Sequence, residues 1–252
     1  MAGILITGAA SGIGAGLATE LARAGHHTVV SDLRLADCEA VAARIRDGGG
    51  SAEAVALDVT SEASVATAVA SFKRPIEVLV NDAGLQNVAP LEEFPMTKWD
   101  YLIQVMLVGS ARLTRALLPG MRQRGYGRIV NIGSIHALVA SPNKSAYVAA
   151  KHGLLGLTKT IALETAGADI TINTICPSYV KTPLVDKQIG DQARTRGIPE
   201  SEVIKEVMLK PMPKGAFIGI DELAGITGFL LTPAARNITG QAIVVDGGWT
   251  VQ

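Results

Sequence analysis

Tyr147 and Lys151 stand four residues apart in the stretch SAYVAAKHG, Ser145 to Gly153. On a helix that spacing puts both side chains on one face, and the small residues between them leave the backbone open to close approach. A free tyrosine has a pKa of about 10, so work as a base near pH 7 requires lowering it by ~3 units, or about 4 kcal/mol. A lysine cation at ~4 Å, with an effective dielectric near 20, supplies about 4 kcal/mol, and a positively charged ligand ring would add to it. The pair reads as a phenol tuned for proton transfer, with a plain packing contact as the alternative. Ser134, thirteen residues upstream, ends the apolar run GRIVNIGS and could bring a hydroxyl to the same crevice.

These groups need a scaffold, and the chain supplies a repeating one. Seven short apolar runs, GILIT, HTVVSD, AEAVALDV, EVLVND, GRIVNIGS, ITINTICP and AIVVDGG, alternate with longer segments rich in Ala, Leu and charge, such as 13–25, 36–47, 61–72 and 99–124. Runs apolar at consecutive positions suit strands buried on both faces. The alternation predicts a doubly wound, seven-stranded parallel sheet with helices on both faces, an α/β Rossmann fold in a single domain over 1–252. One region breaks the rhythm. Residues 182–219, with charged helical stretches and the segment LKPMPKGAFIG, form a long insertion before the last strand, expected to be a lid over the crevice at the carboxyl ends of the strands.

The first strand runs into TGAASGIG. Gly8, Gly12 and Gly14, with Ser11 and Ile13 between them, make a strand-to-helix turn at which backbone N–H groups and a helix N-terminus can meet a pyrophosphate. Asp32 ends the second strand, where a carboxylate can accept hydrogen bonds from adenosine ribose hydroxyls; Leu33 follows it. A carboxylate there repels a 2′-phosphate, which favours NAD over NADP, with Arg34 as the one nearby counter-argument. Asp58 and Val59 end the third strand, and Asp82, Ala83 and Gly84 the fourth, so all are expected on one rim.

Composition narrows the partners. Apolar residues are 48% and charged residues 18% of 252, with 27 glycines, a profile of a buried sheet rather than disorder. Lys+Arg and Asp+Glu both total 23, so no basic field exists to hold nucleic acid or an anionic membrane, and a small-molecule partner is expected. Two cysteines, Cys38 and Cys176, suit a reducing compartment as structural thiols. The apolar N-terminus lacks a charged start and is broken by glycines, and no run reaches the roughly 18 apolar residues of a membrane span. A soluble, cytoplasmic protein is expected. No His/Cys/Asp cluster has metal-ligand spacing, so no metal is expected.

Together TGAASGIG, Asp32, the NDAG turn, Ser134 and YVAAK resemble the short-chain dehydrogenase/reductases, and ICPSYVKTP and the terminal DGGW extend the resemblance along nearly the whole chain. The resemblance implies an NAD-dependent oxidoreductase in which Tyr147 is the acid/base, Ser134 holds the substrate oxygen, and Lys151 tunes the tyrosine while binding the nicotinamide ribose. It places Pro177, Val180 and Thr182 along the nicotinamide and implies a homotetramer. Within the family, GLQNVAPLEEFP, SIHALVASPNKSAYVAAKHG and TPLVDKQI resemble the bacterial D-3-hydroxybutyrate dehydrogenases. That implies a small hydroxy or keto acid, its carboxylate held by Gln86, His136, Lys144 and Gln188, with Tyr179 and Trp249 beside it. Three departures stand out. Met106 replaces an asparagine of the family's proton relay, which leaves a nucleotide-binding relative with little turnover as an alternative. Tyr179 and Ser178 replace tryptophan and glycine, leaving another secondary alcohol open, and Asp82 replaces the second asparagine of the family's NNAG turn, where little effect is expected.

Overall fold

Buried residues at consecutive positions form the five inner strands, whereas the two edge strands are mostly half-buried. A computed structural model describes residues 1–251, with all side chains except those of Leu184, Lys187, Asp191 and Thr195. Its sheet comprises β1 (Gly3–Thr7), β2 (His27–Asp32), β3 (Ser51–Ala56), β4 (Val78–Asn81), β5 (Tyr126–Ile132), β6 (Asp169–Pro177) and β7 (Ala242–Val245). The seven strands are all parallel in the order β3-β2-β1-β4-β5-β6-β7. The direction of winding reverses between β1 and β4, and a crevice opens beyond the carboxyl ends of the strands at such a reversal.

Alternate side chains feed two cores. Ile4, Ile6, Val30, Val78, Val80, Val130 and Ile132 pack with α1 (Gly12–Arg23), α2 (Leu35–Asp47) and α9 (Ile220–Leu230) on one face. Leu5, Val29, Leu79, Ile129 and Ile172 face the other way, against α3 (Glu62–Ser71), α4 (Met96–Ile103), α5 (Gly109–Arg124) and α6 (Ser145–Glu164). The period of two along each strand is what divides them.

The helix expected over 99–124 is longer and not uniform. Between α4 and α5, residues Gln104–Val108 make a wide turn with i→i+5 bonding. By length and composition the span Met96–Arg124 could cross a membrane. Here its apolar residues Leu102, Val105, Met106, Leu113, Leu117 and Met121 are buried in the second core.

After β6 the chain leaves the sheet. Thr182 caps α7 (Pro183–Arg196), its hydroxyl accepting the Val185 N–H at 3.4 Å, and Gly197 ends it in the left-handed conformation at φ +66°. A short α8 (Glu200–Glu202) passes into a second wide turn, Val203–Leu209. This excursion carries its own small cluster of Val185, Ile189, Val203 and Met208. Its base is pinned where the Ile218 N–H donates to the Tyr179 carbonyl at 2.9 Å and the Lys181 N–H to the Ile218 carbonyl at 3.2 Å.

Candidate active site

A cleft of about 510 Å³ opens at the carboxyl ends of the strands. At one end of it the glycine turn after β1 takes backbone shapes that side chains resist: Gly8 has φ +66° and Gly12 φ +56°. A Cβ on Gly8 would stand 2.9 Å from the Ala83 Cα, whereas one on Gly12 would meet nothing nearer than Thr182 at 4.0 Å. Open space thus lies above Gly12, at the N-terminus of α1, where Ser11 makes no capping bond of its own and Ile13 joins the wall. This cradle fits a pyrophosphate.

Asp32 is fixed across the turn. Its carboxylate accepts the Ala10 N–H at 3.3 Å and the Leu33 N–H at 2.7 Å, and Leu33, Asp58 and Val59 continue the wall as a slot of mixed polarity. Arg34 turns away to pair with Asp37 at 2.5 Å. The Thr7 hydroxyl accepts the N–H groups of Asp82 and Ala83 at 3.1 and 3.0 Å, tying the end of β4 to β1, and Gly84 completes that rim.

Gly14 lies beneath the turn, where a Cβ would meet an Asp82 carboxylate oxygen, the Gly8 carbonyl oxygen and the Ala9 Cα within 2.9 Å. Its N–H donates to Asp82 rather than into the cleft. Asp82 itself lines the cleft. Burial pushes its carboxyl up to about 7, against the pull of the Lys151 cation and the Gly14 N–H.

At the catalytic end, Ser134 stands just past β5, Tyr147 and Lys151 share one face of α6, and all three line the cleft. The Lys151 Nζ donates to the Ile132 carbonyl at 2.6 Å and lies 5.6 Å from the centre of the Tyr147 ring. Burial lowers the Lys151 pKa to about 8, against the Asp82 carboxylate. The tyrosine does not follow the sequence-based estimate. Burial raises the Tyr147 pKa, and the hydrogen bond from Ser134 only partly offsets it, so the lysine alone does not deliver a phenolate.

Gln86, His136, Lys144, Tyr179, Gln188 and Trp249 also line the cleft, as do Pro177, Val180 and Thr182, the last of which is the side chain nearest Gly12. Lys144 is half-buried and its pKa is lowered by that burial, which leaves a partly desolvated amine at the cleft wall. The buried Gln86 Oε1 has no partner among the described residues. Tyr179 packs on Trp249 at 5.8 Å between ring centres, and Trp249 lies 6.4 Å from His136. Asp246 fixes the turn that carries Trp249 by accepting the Gly248 and Thr250 N–H groups, each at 2.8 Å.

Burial, with Lys144 and His152, pushes the His136 pKa down to about 4, so near pH 7 its ring is neutral. Both ring nitrogens are already engaged, Nδ1 with the Ser134 hydroxyl at 3.3 Å and Nε2 with the Ser141 hydroxyl at 2.6 Å.

A glycine cradle, the Asp32 carboxylate and a Ser-Tyr-Lys group thus lie in one cleft. A family model described as short chain dehydrogenase matches residues 2–193. The chain belongs to the short-chain dehydrogenase family. It is 46% identical to a D-beta-hydroxybutyrate dehydrogenase of Rhizobium meliloti, with 98% of each chain covered. It is 43% identical to an uncharacterized oxidoreductase of Bacillus subtilis, again over 98% of each chain. A D-beta-hydroxybutyrate dehydrogenase of Cupriavidus necator is 42% identical, over 98% of this chain and 97% of that one.

In this short-chain dehydrogenase the cleft has walls that sequence reasoning did not single out. Leu85, Tyr101, Val105 and Ile135 all line it. They are apolar or aromatic residues on loops, on α4 and on the wide turn, and nothing in their local pattern separates them from core residues. Met106 takes no place in the cleft lining. It is 2% exposed, its thioether packs beneath Gly84, and its carbonyl accepts the Ser110 hydroxyl at 2.8 Å.

Proposed function

We propose that this oxidoreductase interconverts D-3-hydroxybutyrate, or a close 3-hydroxy acid, and the corresponding 3-keto acid with NAD. The observation that carries the reading is a desolvated Lys144 cation in the same cleft as Ser134, Tyr147 and Lys151, where the side-chain amides of Gln86 and Gln188 can also donate N–H groups to a carboxylate. The names of the two hydroxybutyrate dehydrogenase relatives support it. The glycine turn at Gly8 and Gly12 and the Asp32 carboxylate would hold NAD, with Asp32 disfavouring a 2′-phosphate.

NAD supplies a hydride acceptor and a positive ring charge. Tyr147, as phenolate, removes the hydroxyl proton of the substrate, and Ser134 donates a hydrogen bond to the same oxygen as charge shifts onto it. Lys151 beside the phenol, together with that ring charge, opposes the upward pull of burial on Tyr147. Lys144, with Gln86 and Gln188, holds the carboxylate, a charge-assisted contact worth about 1.5–3 kcal/mol. The excursion over 182–219 serves as the lid, bringing Gln188 over the substrate and excluding water. A homotetramer in the cytoplasm completes the reading, with the edge strand β7 and the exposed Phe229 of α9 as surface for a second copy.

NADH formation with the D and L enantiomers, and with NADP in place of NAD, tests this directly. Robust D-selective, NAD-dependent turnover is expected, and Lys144→Ala is expected to raise KM for hydroxybutyrate about 10- to 100-fold. An unchanged KM in that variant would remove the carboxylate assignment. A second reading, another secondary alcohol with the same chemistry, rests on Tyr179, whose smaller, hydroxylated ring at the cleft wall suits a more polar substrate.

A further inference from the structure

Ser134 has one proton and several neighbours that could take it. Its oxygen accepts the His136 backbone N–H at 3.2 Å and lies 3.3 Å from His136 Nδ1, while Tyr147 is its third polar neighbour. A phenolate, or a substrate oxygen gaining negative charge, needs a donor, so the Ser134 proton must point into the cleft. His136 Nδ1 must then carry a hydrogen and give it to Ser134. A neutral imidazole protonated at Nδ1 has a bare Nε2 that can only accept.

The partner of Nε2 is the Ser141 hydroxyl, at 2.6 Å. A contact this short serves a hydroxyl donating to nitrogen or an N–H donating to oxygen alike, so its direction follows from the tautomer that the Ser134 proton requires. Ser141 lies half-buried in the loop before α6, behind the imidazole and away from the cleft wall. That loop is held by the left-handed Asn143, φ +65°, whose carbonyl accepts the Ala89 N–H at 3.0 Å. The ring itself is held by Tyr147, edge-on at 5.9 Å, and by Trp249.

We propose that Ser141 is a positioning residue: by donating to Nε2 it fixes His136 as the Nδ1–H tautomer, which reserves the proton of Ser134 for the oxygen of Tyr147 and of the substrate. The chain Ser141 to His136 to Ser134 is then polarised toward the reacting oxygen. His136 acts on the reacting oxygen through Ser134. The inference rests on the proposed roles of Ser134 and Tyr147. The charged and titratable groups facing this chain are Lys144 and His152 around His136, and Lys151, Asp82 and Cys176 around Tyr147.

The test begins without cofactor or substrate. Nitrogen-15 NMR of the full-length protein near pH 7, with His136 signals assigned by their loss in His136→Gln, is expected to show hydrogen on Nδ1 and a bare Nε2. Ser141→Ala should move the hydrogen to Nε2 or mix the two forms, and Ser141→Thr should keep the native pattern. Hydrogen on Nε2 in the native protein, or an unchanged tautomer in Ser141→Ala, would overturn the proposal. With whichever alcohol is turned over, Ser141→Ala should lower kcat about tenfold, shift the Tyr147 limb of the pH profile upward, and leave KM within about twofold. Ser141→Thr should restore both. A native tautomer as expected but no turnover on hydroxy acids would sink the substrate reading alone; kcat and pH limb unchanged in Ser141→Ala would sink the positioning role.

Discussion

The nucleotide end and the substrate end of the cleft are built by different means. At the first, the backbone does most of the work: Gly8 and Gly12 shape the turn, Thr7 ties β1 to the N–H groups after β4, and the strand register sets the spacing. At the second, side chains from separate segments converge. Gln86 comes from the loop after β4, Lys144 from the start of α6, Gln188 from α7 and Trp249 from the turn after β7. The α7 excursion rests on its own cluster and a short backbone clip at Tyr179 and Ile218. Geometry fixed by a sheet tolerates no added atom, whereas geometry fixed by a small satellite core can loosen by itself.

Gly8→Ala gives the largest expected break in that contrast. The positive φ and a Cβ 2.9 Å from backbone leave no relaxed solution, so a loss of roughly 2–3 kcal/mol in stability is expected with at least tenfold weaker NAD binding, read by thermal unfolding and a cofactor titration. Met208→Ala acts on the other side. Met208 is fully buried in the excursion's cluster, and a Met→Ala truncation costs about 2–5 kcal/mol where it occurs. Loosening confined to the excursion should raise KM for the hydroxy acid about tenfold while NAD affinity and the main unfolding transition hold nearly constant. Equal losses at both ends would show that the two regions open as one.

Asp82→Asn sharpens the boundary and has the smallest effect. The folded pKa of Asp82, about 7, lies above its ordinary 3.8, so the folded protein keeps a proton that the unfolded chain releases. Stability therefore falls as pH climbs from about 4 to about 7 and stays lowered beyond it. The amide variant escapes this, and is expected to be more stable by on the order of 2 kcal/mol at pH 8, with the gain vanishing near pH 4. Melting curves of both proteins across that range check the sign.

Much of the nucleotide end was legible in the sequence because it is local. A glycine turn after an apolar run, an acid ending the next run and the residues closing later runs all map onto strand ends whatever the packing. Seven strands followed from the same alternation. What could not be read depends on atoms brought together from afar. Gly14 shares its motif with Gly8 and Gly12, yet Asp82, remote in sequence, claims its N–H. The charge state of His136 depends on its burial and on the nearby Lys144 and His152. Tyr147 and Lys151 were legible as a pair, but the cost of burying the phenol was not. The wide turn at Gln104–Val108 has no residue signature, since its aliphatic side chains suit an ordinary helix equally well.

That turn also sets an angular phase. A wide turn holds one residue more than an α-helical turn, and each residue advances a helix by about 100°, so α5 is rotated by that amount relative to an unbroken continuation of α4. Tyr101 and Val105 can then face the cleft while Leu113, Leu117 and Met121 face the sheet along one nearly continuous rod. The extra residue works as a gear tooth between the two ends of the rod. Removing one residue from 104–108 would turn one end against the other, so this helix should tolerate substitutions within the turn far better than any change in its length.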